Sequence, residues 1–129
     1  MEEIKVYIAS PYSNGWMPTN IRRQFDAAGE LINLGFFPYV PLLTHFMELY
    51  THRTEAHWLQ QDFVFLKVCD AVLRLKPVDE MGIEIPSLGA DLEETLAMEN
   101  GIPIFYSIED LNDYFKTNST QQVLPHIFK

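Results

Sequence analysis

The chain has 129 residues, 47% of them hydrophobic and 21% charged, which is one domain's length with enough apolar material for a core and no sign of a disordered or fibrous class. Its net charge of −9 argues against nucleic acid as a partner, because phosphate-backbone binding runs on basic surface, and leaves a small molecule as the expected ligand. Nothing near Met1 has the pattern of a signal peptide and no apolar run approaches a membrane span, so no membrane partner is expected and the cytoplasm is the default compartment.

Ile4–Ala9 is a β-rich apolar run that ends in the turn-like SPYSNG and predicts a buried first strand. From Thr19 to Leu34, Ile21, Phe25, Ala28 and Ile32 recur at helical spacing, with Gly35 as the stop. Phe36–Val40 predicts a second strand closed by Pro41, and Thr54 can cap a helix that runs to Val68. The lone Cys69 cannot form an internal disulfide and reads as a buried structural thiol. Ala71–Leu75 and Ile102–Tyr106 are the third and fourth strands, and Ser107 with Asp110 can cap a helix through Phe115. The tail 117–129 ends in the apolar VLPHIF, suited to docking on its own domain or crossing to a neighbouring subunit. No repeat or second domain is visible, so residues 1–129 are expected to form a single domain.

Strands alternating with helices predict an α/β, Rossmann-like (flavodoxin-like) three-layer sandwich with a mostly parallel sheet of four to five strands. Such sheets bind ligands beyond the carboxyl ends of their strands. The segments expected there are Ser10–Trp16, Pro41–His45, Lys76–Ser87 and the residues after Tyr106. Lys76–Ser87 exceeds the usual connection length and is a candidate lid or specificity loop.

The stretch PSLGADLEETLA carries the most chemistry. Gly89, Glu93 and Ala97 share one helical face, and Leu88, Leu92 and Leu96 share its neighbour, where they can bury. A glutamate one turn into a helix sits near the positive end of the dipole, which favours the ionised form; the alternative is a solvated acidic first turn. Asp62 lies on the helix before the third strand, which must run antiparallel to the sheet. Counting back from Cys69 carries it roughly 10 Å towards the ligand side. Beside Trp58, Phe65 and Leu66 it would be desolvated and held protonated, the alternative being an exposed helical aspartate. Asp70 belongs at the opposite edge, in a turn or cap. Tyr7 points into the proposed site or simply into the core. Two carboxylates in opposed environments are the division of labour of glycosidic bond cleavage.

These residues match a family. From KVYIASPY through YVPLLTH and QDFVFLKVCDAVLRL to PSLGADLEETLAMENGIPIFY, the chain resembles the nucleoside 2-deoxyribosyltransferase superfamily, nearest to its branch of 2'-deoxynucleoside 5'-monophosphate N-glycosidases. The resemblance implies Glu93 as the catalytic glutamate, Asp62 as the acid assisting departure of the base, and Tyr7 as a tyrosine bonded near the glutamate. At Ser87 the transferases of the family have an aspartate that contacts the sugar, whereas a serine there implies a bound 5'-phosphate. Ser87 and Gly89 at a helix N-terminus suit that ligand, although Ser87 could equally cap the helix. Asp91 departs from the small residue common at its position and would repel phosphate unless turned away. Arg22 and Arg23 could offset it, with Ser10, Tyr12 and Asn14 completing a polar cradle. His45 aligns with a glutamine that contacts the base in some transferases.

His45, His52 and His57 lack the spacing of a zinc site, so no metal or cofactor is expected. The resemblance also implies a homodimer or higher homo-oligomer. The expected activity is hydrolysis of the base–sugar bond of a nucleotide, with base transfer as the alternative. A noncatalytic nucleotide-binding module is a reading of another class.

Overall fold

A computed structural model describes residues 3–10, 17–85 and 88–118, with side chains except at positions 17, 45, 88–90, 117 and 118. In chain order the elements are β1 (Lys5–Ala9), α1 (Met17–Asn33), β2 (Phe37–Tyr39), α2 (Leu42–His45), a 3-10 turn (Phe46–Leu49), α3 (Glu55–Leu66), β3 (Ala71–Arg74), α4 (Leu88–Glu99), β4 (Ile104–Phe105) and α5 (Ile108–Asn118).

Local chemistry sets several boundaries. Gly35 takes φ 96°, which a Cβ would disfavour, and lets the chain fold back so that the N–H of Phe36 reaches the Leu31 carbonyl at 2.9 Å. Gly101, at φ 69°, does the same for α4, returning the Ile102 N–H to Ala97 at 2.9 Å. Thr54 caps α3 by accepting from the His57 N–H at 3.1 Å, and Ser107 caps α5 by accepting from the Asp110 N–H at 3.1 Å. Asp70 lies at the amino edge of the sheet, as expected, but instead of capping a helix it accepts from the Lys5 N–H of β1 at 2.8 Å.

The four strands form one parallel sheet in the order β2-β1-β3-β4. The fold is α/β and Rossmann-like, as the alternation predicts. Because the strand order reverses about β1, the connections after β1 and β3 part to opposite sides beyond Ala9 and Arg74, which are register partners, and it is at such a switch point that open α/β sheets bind ligands. Strand alternation splits the core in two. Val6, Ile8, Ala71 and Leu73 face α1 and α5, where they meet Ala27, Ala28, Leu31 and Leu111. Tyr7, Ala9 and Val72 face α3 and α4, where they meet Leu66, Cys69, Ala97 and Ile102. Cys69 is buried there and its thiol is pushed up to about 11, chiefly by desolvation.

Three details differ from the sequence reading. On α1 the buried stripe is Asn20, Gln24, Ala27, Ala28 and Leu31, while Phe25 and Ile32 are exposed, because α1 is rotated to lay its small residues on the sheet. Pro41–His45, given no secondary structure in that reading, is mostly a short helix. The long connection after β3 is folded: Val78 bridges Glu84, and the Asp79 carboxylate accepts from the N–H groups of Met81 (2.8 Å) and Ile83 (3.0 Å) around Gly82. The tail VLPHIF lies outside the described residues. Among those residues no helix is long and apolar enough to cross a membrane.

Candidate active site

α4 turns its Glu93/Ala97 stripe inward. Glu93 is 7% exposed and Ala97 fully buried. Of the leucine stripe expected to bury, Leu92 is exposed and Leu96 is half-buried against the core. The small Ala97 lets α4 lie close to Tyr7 and Val72, and Glu93, one turn earlier, is carried to the side chain of Tyr7. The Tyr7 hydroxyl donates to Oε2 of Glu93. Tyr7 is at once a core residue, with no exposed surface, and a ligand of the glutamate.

Asp62 enters from α3, which packs against α4. It is 4% exposed, between buried Trp58 and Leu66 on the same helical stripe. Its charge raises the pKa of Glu93, Tyr7 and Tyr39 alike, so the acids expected to meet do share one neighbourhood. Tyr39 forms the wall beside them, stacked on Tyr7 with ring centroids 5.5 Å apart and on Phe65 at 4.9 Å. This aromatic stack links β1, β2 and α3 and was not legible in the sequence.

The protonation of Glu93 differs from expectation. Near a helix N-terminus it was expected to be ionised, yet desolvation pushes its carboxyl up to about 8. The Tyr7 hydrogen bond and the Arg74 charge pull it down, and Asp62 pushes it up. The Tyr7 phenol is driven far above its ordinary value by burial and by the two carboxylates, so it remains a donor.

Arg74 is a buried, ion-paired residue beside the site that the sequence reading missed. It is the last residue of β3 and 4% exposed. Its guanidinium donates to Asp91 at 2.8 Å and to Glu94 at 3.0 Å, and Glu94 also accepts from the Tyr106 hydroxyl at 2.7 Å. The available signal was an arginine closing an otherwise apolar strand, since a buried guanidinium requires acids and Asp91 and Glu94 are three apart on one helix. Asp91 is thus paired to a cation rather than left as bare charge.

The remaining predicted residues divide. Ser10 is half-buried at the carboxyl end of β1, and its carbonyl accepts from the Gln24 amide at 3.4 Å. Gly89 lies in the first turn of α4, and His45 is the last residue of α2. Arg22 is exposed on α1, while Arg23 reaches across to donate to the Lys76 carbonyl. Tyr12, Asn14 and Ser87 lie outside the described residues. His52 is bound to Glu48, and the His57 and Trp58 rings meet edge-on.

Comparison with solved structures found a 2-deoxyribosyltransferase from the psychrotolerant bacterium Bacillus psychrosaccharolyticus, described as a suitable biocatalyst for the synthesis of antiviral and antitumoral nucleosides. It is 20% identical, with a TM-score of 0.61 over 78% of this chain and 69% of that one, a likeness of fold. No family model matches the chain, and a search of curated proteins found no match.

Proposed function

We propose that this protein cleaves the N-glycosidic bond of a nucleoside or nucleotide, with Glu93 as the catalytic carboxylate and Asp62 as the acid. The observation that carries the reading is the buried meeting of Tyr7, Glu93 and Asp62 beside the switch point of a parallel sheet. With its carboxyl raised to about 8, Glu93 attacks C1' in the carboxylate form, which is the major one only above that pH; the electron pair of the C1'–N bond leaves with the base, and Asp62 gives that base its proton. Tyr7 holds the attacking oxygen in place and lowers the cost of its charge. In the second half-reaction an acceptor attacks C1', Glu93 departs as a carboxylate, and Asp62 recovers a proton from the acceptor.

The fold shared with a 2-deoxyribosyltransferase favours a second base as the acceptor. Water is the second reading, favoured by a serine rather than an aspartate at sequence position 87, which the resemblance links to the monophosphate N-glycosidase branch. A homo-oligomer in which the 117–129 tail lies at the subunit interface belongs to the same proposal. The test is incubation with deoxynucleosides and their 5'-monophosphates, with and without a second free base. A new nucleoside indicates transfer, and free base alone indicates hydrolysis. Asp62→Asn is expected to slow release of poor leaving groups by roughly 10²- to 10⁴-fold. A bound nucleotide that is never cleaved would instead make the protein a binding module and end the catalytic reading.

A further inference from the structure

Asp91 and Glu94 flank Glu93 in sequence but face away from it, towards β3, where both meet the buried guanidinium of Arg74. Only 3% of the Arg74 side chain is exposed, against 55% for Asp91 and 25% for Glu94, so the cation is the anchored member of the cluster and the acids close over it. A two-pronged contact to residues one helical turn apart determines both the height and the rotation of the first turns of α4. Those turns carry Glu93 to Tyr7.

We infer that Arg74 is a positioning residue of the site, clamping the start of α4 to the end of β3 through Asp91 and Glu94 and setting the electrostatic field in which Glu93 works. The inference rests on the catalytic reading of Glu93 only for its consequence in turnover. The charged and titratable groups around Glu93 are Tyr7 from β1, Asp62 from α3, Arg74 from β3, Asp91 and Glu94 on its own helix, and Tyr106 beyond β4, which binds Glu94. Arg74 is the cation among the groups acting on Glu93, and it lowers the carboxyl that burial raises. Its neutralisation by two acids tempers that pull.

Opposite charge changes should therefore move Glu93 in opposite directions. In the full-length protein, the ¹³C carboxyl titration of Glu93 should rise by about one pH unit in Arg74→Gln and fall by about one in the double variant Asp91→Asn/Glu94→Gln, whose amide oxygens keep acceptors for Arg74 while the new amide N–H group at position 94 can donate to the Tyr106 hydroxyl. Arg74→Lys restores the charge without the planar fork, so its midpoint should stay near that of the parent while the plateau kcat falls. An unmoved midpoint in the double variant overturns the inference, and that variant decides alone if Arg74→Gln does not fold. Opposite midpoint shifts with an unchanged pH–rate profile would uphold the role of Arg74 and reject Glu93 as the catalytic group.

Discussion

The two faces of this sheet are built on different terms. Towards α1 and α5, Val6, Ile8, Leu31, Leu73 and Leu111 form a hydrophobic core. Towards α3 and α4, the same strands bury a phenol and face two carboxylates, Glu93 and Asp62, that would be better solvated in water. One face contributes stability; the other gives some of it up to hold titratable groups in low dielectric. The contrast lies one residue apart along β1, where Val6 and Ile8 point to the first face and Tyr7 to the second.

Glu93→Gln should sharpen that contrast most. Turnover is expected to fall on the order of 10³-fold or more, while the fold becomes more stable. The sign follows from protonation. With its carboxyl raised from an ordinary 4.5 to about 8, Glu93 keeps a proton in the native state that the unfolded chain has already released across that interval. Glu93 therefore costs nothing below about pH 4.5, lowers stability progressively as pH rises to about 8, and costs a constant amount above it, of order a few kcal/mol. Chemical denaturation at pH 4, 6 and 9 should show the glutamine variant gaining on the parent at each step, and equal gains at all three would refute the burial of that charge.

Leu31→Ala, on the opposite face, should cost about 2–5 kcal/mol, equally at all three pH values, with kcat of the folded protein unchanged. A pH-dependent cost would mean that the two faces are not separable. The smallest effect is expected from Tyr7→Phe, which removes the donor to Glu93. Losing the hydrogen bond should cost about 1–3 kcal/mol and move the acid limb of the pH–rate profile above its parent position, and a limb that stayed in place would break the link between the phenol and the carboxylate.

Much of this was legible before any coordinates. The Thr54 and Ser107 caps, the Gly35 stop and the strand-helix alternation all depend on neighbours close in sequence, and each appears where its local chemistry requires. The α1 stripe was misjudged because hydrophobicity alone favours Phe25 and Ile32, while Asn20 and Gln24 find burial near the ligand edge, where Gln24 meets Ser10. The exposure of Leu92 on α4 has a similar cause, since the face that must pass close to β1 needs the slender Ala97 more than it needs leucine.

The sequence by itself determined which segments become strands and helices, which glycines end them, and which two acids were worth watching, because propensity, capping and periodicity act within a few residues. Only the tertiary structure decided that Glu93 is buried deeply enough to hold its proton, that Tyr7 donates to it, and that Arg74 is clasped by Asp91 and Glu94. Protonation and pairing depend on dielectric and distance between groups up to 86 positions apart in the chain, and those quantities exist only once the sheet has brought them together.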